Sequence, residues 1–364
     1  MKICHVINSL SGGGAETHLL DLVHAQKDQG HTVTVIATGP DKKNMKSLEE
    51  EFTNVSDSIS RLYFPRLFNL YSYIKFYKNL KENKYDIVHT HQPRSDFMFF
   101  ILKSFTTITT TWIVSIHGKY DTYLEGNIFF DQIRKLSMPL LVKIWNSSNQ
   151  IICISQEVKK WLTTYKIKSN ISVISYWISK SKLVNLEETK ESINIGFMGR
   201  VNKNKGIEDL LDVFEDLSED RYNLFIAGSS KEAYLKKLNE RYELKNVNFL
   251  GYVSNKEKFF SNIDIFVFPS YSEGLGLALL ESMSYSKICI SRNVAPMNSI
   301  LNQDSGYLFQ NNEELKSIIL DCSHLFKEDI LSLNKKLSNQ YNLLNEKYNK
   351  QMLFQKIESI YQDG

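Results

Sequence analysis

Apolar positions along this chain fall into two alternating patterns. Short β-branched runs at 2–7, 32–37, 86–89, 112–116 and 150–154 read as strands. Between the first two, Leu19, Leu20, Leu22 and Val23 stand at helical spacing within 16–29, and Gly30 marks the stop. Strand, helix, strand in this order predicts a parallel sheet covered by helices. The polar stretch 179–192, where Glu187, Glu188, Lys190 and Glu191 crowd together, interrupts the pattern and reads as a linker. The alternation restarts with a strand at 193–198 and a helix from Ile207 that keeps Leu210, Leu211, Phe214 and Leu217 on one face. Strands at 223–227, 247–250, 263–268 and 288–291 follow, so a second doubly wound sheet is predicted. From Glu313 the pattern is helical to the end, with Met352, Leu353, Ile357 and Ile360 near one face of the last helix.

Composition narrows the class. A length of 364 residues favours two domains, and 42% hydrophobic with 23% charged residues is a globular balance. A net charge of +3 without any Lys/Arg block gives no footing for a nucleic-acid partner. Cys4, Cys153, Cys289 and Cys322 form no C-x-x-C pair, so neither zinc nor a disulfide framework is expected. They read as reduced, buried thiols of a cytosolic protein. The start has no charged leader followed by a long apolar region, which predicts no signal peptide. The longest apolar run, 97–102, falls far short of the roughly 18–20 residues that span a bilayer. The expectation is a cytoplasmic protein whose membrane contact, if any, is peripheral on the inner face of the cell membrane.

Candidate chemistry gathers at strand ends of the second half. Gly199-Arg200 closes its first strand, and Lys205-Gly206 stands just before the helix from Ile207. That is the carboxyl edge of an open α/β sheet beside a helix start, where anions bind. Arg200 can fork onto phosphate oxygens and Lys205 supplies a compact point charge; the alternative is two solvated loop charges. A second cluster runs Pro269-Ser270-Tyr271-Ser272-Glu273-Gly274-Leu275-Gly276-Leu277, then Leu280-Glu281. Its glycines let backbone approach a ligand, and free amides near Gly276 would face the same phosphates. Glu281, one turn beyond Leu277, is within reach of a ribose hydroxyl pair. A lone Glu or a lone G-x-G is weak, but joined to an Arg/Lys pair one sheet position away they predict a pyrophosphate pocket.

Gly-Arg-x4-Lys-Gly followed by the Glu-x7-Glu pair of Glu273 and Glu281 resembles the donor domain of retaining glycosyltransferase family four, the GT-B "group 1" type of bacterial polysaccharide synthesis. The likeness covers nearly the whole chain. Gly12-Gly13-Gly14-Ala15-Glu16 is similar to the family's first glycine loop, and Asp86-Ile87-Val88-His89-Thr90-His91 and Ser115-Ile116-His117-Gly118 to its two histidine-bearing strand ends. The resemblance implies an α/β GT-B fold of two Rossmann-like, doubly wound domains facing a central cleft. Its parts would be an acceptor-binding domain at 1–178, the linker at 179–192, a nucleotide-sugar donor domain at 193–345, and a helix at 346–364 crossing back onto the first domain.

Roles carry over by the same resemblance. Arg200 and Lys205 would neutralise the departing diphosphate in place of a metal, in keeping with the absence of any Asp-x-Asp in the chain. Glu281 would hold the ribose, Glu273 the sugar hydroxyls, and His117 would stand near the transferred sugar as a hydrogen-bond partner. Gly13, Gly14, Gly199, Gly228, Gly274, Leu275, Gly276 and Leu277 would line the donor site, and Gly251-Tyr252-Val253 resembles the turn that contacts the base. His91 and Arg94 fall on the acceptor side. From the residues alone, His89 and His91 also read as packing or strand-end residues, and Arg94 as a binder of acceptor phosphate or a cap of a surface helix.

Three departures bear on specificity. Ser175-Tyr176-Trp177 stands where relatives commonly have an Asn-Gly turn, Ser286-Lys287-Ile288 replaces the usual Gly-x-Pro, and Asn298 corresponds to an often acidic position. In 61–84, Tyr63, Phe64, Phe68, Tyr71, Tyr73, Phe76 and Tyr77 interleave with Arg61, Arg66, Lys75, Lys78, Lys81 and Lys84. Such a helix can lie in a membrane interface, or it can pack its rings on the sheet and leave its lysines in water. The expected function is retaining transfer of a hexose or N-acetylhexosamine from a UDP-sugar to a saccharide or lipid-linked acceptor, in bacterial surface polysaccharide synthesis, with no metal cofactor. The alternatives are a sugar-nucleotide epimerase on the same architecture and an inactive nucleotide-sugar-binding partner of another transferase.

Overall fold

A computed structural model of the chain describes residues 1–41, 45–62, 69–121, 128–179, 181–187 and 190–363. The first half winds β1 (Lys2–Ile7), α1 (Gly14–Asp28), β2 (Thr32–Ala37), α2 (Glu49–Val55), β3 (Ser58–Arg61), α3 (Leu70–Asn83), β4 (Ile87–His91), α4 (Pro93–Phe105), β5 (Thr111–Ile116), α5 (Ile128–Trp145), β6 (Gln150–Cys153), α6 (Gln156–Thr163) and β7 (Asn170–Val173). The strands form one sheet in the order β3-β2-β1-β4-β5-β6-β7, each neighbouring pair parallel. Central strands covered on both faces must be apolar almost throughout, and β1 and β2 each bury every residue but the first. The sheet edges follow another rule. Ser58-Ile59-Ser60-Arg61 and Asn170-Ile171-Ser172-Val173 pair on one side only and stay partly solvated, so they carry no apolar run. Side-chain caps start two of the helices: Asn69 accepts from Ser72 N at α3, and Ser155 from Val158 N at α6.

The second half repeats the plan with β8 (Ile193–Met198), a 3₁₀ turn (Lys203–Lys205), α7 (Ile207–Glu215), β9 (Tyr222–Ala227), α8 (Glu232–Arg241), β10 (Val247–Gly251), α9 (Lys256–Ser261), β11 (Ile265–Phe268), α10 (Leu277–Ser284), β12 (Ile288–Arg292), α11 (Met297–Ile300), β13 (Tyr307–Phe309), α12 (Asn312–Glu328) and α13 (Ile330–Lys347). Its sheet runs β10-β9-β8-β11-β12-β13, again all parallel. Leu210, Leu211 and Phe214 of α7 pack with Ile195, Phe197, Leu224 and Ile226 of the sheet. The closing helix is α14 (Lys350–Asp363).

Two compact units result, Met1–Trp177 with Lys350–Gly364, and Ile178–Asn349. Helix α14 thus belongs to the first unit, where Leu353, Phe354, Ile357 and Tyr361 join a core that includes Leu19, Leu22, Val35 and Trp177. The described residues of 179–192 are bonded into the second unit. Leu186 N donates to Asn334 Oδ1 at 2.8 Å, Val184 N to Ser286 Oγ at 3.0 Å, and the Leu186 side chain packs on that unit's core. All four cysteines are buried free thiols, and burial pushes Cys153, Cys289 and Cys322 up to about 12.

Candidate functional site

In the second sheet β8 and β11 lie side by side although three helices and two strands separate them in sequence. The chain leaves their carboxyl ends toward opposite sides, which opens a crevice at the point where strand order reverses. At the end of β8, Arg200 is exposed, and Asn202 then caps the 3₁₀ turn by accepting from Lys205 N at 3.2 Å. At the end of β11 the loop from Pro269 leads to Gly276, which caps α10 with φ 89°. The loops meet. Tyr271 N donates to Asn204 O at 3.1 Å, and Lys205 Nζ forms an ion pair with Glu273 whose side chains are only 11% and 14% exposed. Lys205 and Glu273, far apart in sequence, are therefore one polar unit at the crevice floor.

Gly206 makes that meeting possible. Its φ is 68°, and a Cβ there would stand 2.2 Å from Pro269 O. Gly206→Ala is expected to cost the second unit about 1–3 kcal/mol through the left-handed backbone alone, and more through the clash. It would also separate Lys205 from Glu273. A melting temperature and nucleotide affinity equal to those of the unsubstituted chain would contradict this placement.

Neighbouring strand ends line up beside the crevice. Gly199 N donates to Ala227 O at 2.9 Å and Gly228 N to Gly251 O at 2.7 Å, so Gly199, Gly228 and Gly251 close β8, β9 and β10 in a row. Gly228, at φ 150°, packs so tightly that a Cβ would meet Gly199 O at 1.6 Å. Tyr252 stands exposed just beyond, with Val253 half-buried. Glu281, in the second turn of α10, pairs with Lys256 of α9. Neither Lys256 nor Arg292 stands out in the sequence. Arg292 closes β12, buried, donating from Nε to Pro269 O at 2.9 Å and pairing with Asp209 of α7. Its guanidinium carbon lies 4.2 Å from the Tyr271 ring centroid, so one cation braces the loop that carries Glu273. An Arg ending a strand that is apolar but for Ser291 is the signal in the sequence.

The first unit has its own reversal point, between β1 and β4. Gly13 caps α1 and Gly14 begins it. Gln92, between β4 and α4, takes φ 78°, a conformation that costs a non-glycine residue about 1–3 kcal/mol; its Nε2 donates to Glu16 Oε1 at 3.3 Å. Arg94 follows Pro93 in the first turn of α4.

Around these ends stand five histidines. His5, His18, His89 and His91 are buried and His117 is half-buried. His91 uses both ring nitrogens, Nε2 with His5 Nδ1 at 3.0 Å and Nδ1 with His117 Nε2 at 3.2 Å. His117 Nδ1 lies 2.5 Å from Tyr176 Oη, and His18 stacks on Tyr176 at 4.2 Å. Burial holds His5 and His117 down to about 4 and His18 to about 3, with repulsion from His117 adding to the last. Burial and neighbouring histidines keep His89 and His91 well below their ordinary value. Among the described residues, His5, His89 and His91 also bring ligand nitrogens within 4.8 Å of one another. All six of their ring nitrogens are engaged in hydrogen bonds.

The aromatic and basic segment divides. Tyr63, Phe64, Arg66 and Phe68 lie outside the described residues. Arg61 ends strand β3, not a helix, and its guanidinium is paired with Asp41 and Glu49, which removes it from a lipid-facing helix. Helix α3 buries Tyr73, Phe76 and Leu80 and exposes Leu70, Tyr71 and Ile74, with Lys75 Nζ 5.2 Å from the Tyr71 ring centroid. Among the described residues no helix is long and apolar enough to cross a membrane.

Two parallel, doubly wound sheets, each with its polar cluster at the strand-order reversal, are the architecture of a GT-B glycosyltransferase. Anabaena Alr3699/HepE, solved in complex with UDP and glucose, is similar over 100% of both chains, with a TM-score of 0.82 at 17% identity. Residues 12–181 match Glycosyltransferase Family 4 and residues 180–360 match Glycosyl transferases group 1, and the chain belongs to this family of glycosyltransferases. Relatives include the capsular polysaccharide biosynthesis glycosyltransferase CapH of Staphylococcus aureus, 26% identical over 371 residues, with 99% of this chain and 98% of CapH covered. An uncharacterised 41.2 kDa protein in the cps region of Klebsiella pneumoniae is 26% identical over 334 residues, 88% of each chain.

Proposed function

We propose that this glycosyltransferase moves a hexose or N-acetylhexosamine from a UDP-sugar to a saccharide or lipid-linked acceptor with retention, in the synthesis of a bacterial surface polysaccharide. The observation that carries the reading is the Lys205–Glu273 pair at the β8/β11 reversal, next to the start of α10. A nearly dry ion pair holds the ammonium ready. When a diphosphate enters, the cation can turn to the charge that builds on the leaving oxygen, while the carboxylate it releases accepts hydrogen bonds from sugar hydroxyls. Arg200 adds a second cation at the mouth, and Glu281, paired with Lys256, suits a ribose diol. His117 is assigned to the transferred sugar and Arg94 to the acceptor side, while His91, which reads from sequence as an acceptor ligand, is buried with both ring nitrogens engaged and stands behind His117. UDP in HepE and the capsular role in CapH's name support the donor class and the pathway.

Departure of the nucleotide followed by attack of an acceptor hydroxyl on the same face needs charge stabilisation, which these side chains supply without a metal ion. Activity is accordingly expected to survive EDTA, and a strict Mg²⁺ or Mn²⁺ requirement would contradict that. The deciding experiment incubates the full chain with a panel of NDP-sugars, with and without oligosaccharide and lipid-linked acceptors, and follows free nucleotide. Acceptor-dependent UDP release is the expected result. Epimerised sugar without nucleotide release would replace the reading with a sugar-nucleotide epimerase, and binding without turnover of any donor would indicate a silent partner protein.

A further inference from the structure

Seven hydrogen bonds of the first unit join end to end. They link Tyr176 Oη with His117 Nδ1 (2.5 Å), His117 Nε2 with His91 Nδ1 (3.2 Å), and His91 Nε2 with His5 Nδ1 (3.0 Å). They continue from His5 Nε2 to Gln26 Oε1 (2.8 Å), from Gln26 Nε2 to Tyr361 Oη (3.3 Å), from Tyr361 Oη to His89 Nδ1 (2.6 Å) and from His89 Nε2 to Ser115 Oγ (2.7 Å). A neutral imidazole has one donor and one acceptor nitrogen, a phenol donates one proton, and a primary amide separates its donor from its acceptor. Each imidazole, and the amide, must therefore pass on the direction it receives. Fixing one bond between Tyr176 and Gln26 fixes the others of that stretch.

The Gln26 amide fixes the direction, because its oxygen can only accept, here from His5, while its nitrogen donates to Tyr361. The Tyr176 phenol then donates to the bare Nδ1 of His117, and the Tyr361 phenol, having accepted from Gln26, turns its own proton to His89 Nδ1. His117 Nε2–H then donates to His91, His91 Nε2–H to His5, His5 Nε2–H to Gln26, Gln26 to Tyr361, Tyr361 to His89, and His89 Nε2–H to Ser115.

We propose that this one-way chain locks His117 as the Nε2–H tautomer, a hydrogen-bond donor toward the ligand and not a base, with Tyr176, His91, His5, Gln26 and Tyr361 as positioning residues. The inference rests on the reading of His117 as the residue that meets the donor sugar. Tyr176 occupies the lone pair that a base would need. The bond from His117 to His91 is the longer of the two ring-to-ring contacts, so its Nε2–H is the one that a sugar hydroxyl oxygen can share while the chain stays joined. Tyr361 makes α14 the far support of the ring.

Long-range ¹H–¹⁵N spectra of the histidine-labelled full chain test the tautomers directly. His5, His89, His91 and His117 are expected to be neutral near pH 7.5, each with a protonated Nε2. A proton on Nδ1 of His117 would reverse the chain and overturn the proposal. So would stoichiometric Zn²⁺ binding that displaces the His5, His89 and His91 resonances. Tyr361→Phe keeps the ring's volume and removes only the hydroxyl. Its expected effects are a shift of the His117 ¹⁵N resonances, a fall in kcat of roughly tenfold with little change in donor KM, and an acidic limb of the pH–rate profile moved to higher pH. A purely structural role would lower the melting temperature and leave the His117 resonances and the limb in place, which would also overturn it. His117→Gln separates the two readings. Full activity in that variant with the wild-type tautomer pattern intact rejects the sugar contact, while the pattern itself judges the chain.

Discussion

Lys205→Met is expected to lower kcat by about 10²–10³-fold, the loss found when one donor to a developing oxyanion is removed. Two effects must be kept apart, because Lys205 also neutralises Glu273 in a mostly buried pair. Removing one partner of such a pair leaves an uncompensated charge and costs about 3–5 kcal/mol of stability. The double variant Lys205→Met/Glu273→Gln removes that penalty and should recover most of the melting temperature without recovering turnover. If turnover returns together with stability, Lys205 acts only as a strut. If the single variant keeps its kcat, the ammonium has no part in the chemistry.

Acid should unfold the first unit well before the second. Free histidine titrates near 6.5, whereas the folded rings of His5 and His117 do so at about 4 and His18 at about 3, with His89 and His91 also far below the ordinary value. Between those limits the unfolded chain binds more protons, so stability present above pH 6.5 is lost as the pH falls. Each ring contributes a slope of about 1.4 kcal/mol per pH unit. Five of them can exhaust the roughly 5–15 kcal/mol of a domain within two units. Asp96, pushed by burial up to about 7, pulls the other way but counts once. The second unit holds a single histidine, His324. Tryptophan fluorescence isolates the effect, since Trp112, Trp145, Trp161 and Trp177 all belong to the first unit. The emission should shift between pH 6 and 4, while amide exchange in the second unit stays slow. Unchanged emission down to pH 4 would refute the argument.

What the sequence revealed and what it hid follow one physical line. Central strands such as β1, β2 and β8 are readable because both faces are covered and the composition must show it. Strands β3, β7 and the three-residue β13 sit at sheet edges, where half-polar sequence suffices. In the site, Arg200, Lys205 and Glu273 could be read because each stands next to a glycine, and Glu281 because it lies one turn beyond the glycine-capped start of α10, features that signal backbone geometry locally. The partners Lys256, Arg292 and Asp209 could not, since a charged side chain carries no mark of what it will face. The histidine chain is the extreme case. Its members run from His5 to Tyr361, and only the folded first unit makes neighbours of them. Taken singly, His89 and His91 read first as packing or strand-end residues.

The place of α14 in the core of the first unit bears on how the chain is made. Leu353, Phe354, Ile357 and Tyr361 are synthesised after the whole second unit, which is inserted between the two stretches of the first. Emerging from a ribosome, the amino-terminal sheet must wait with an uncovered apolar flank and an unsupported His89 until translation has passed residue 361. The second unit, continuous in sequence, can close while that wait continues, so the half that is made first is the half that finishes last.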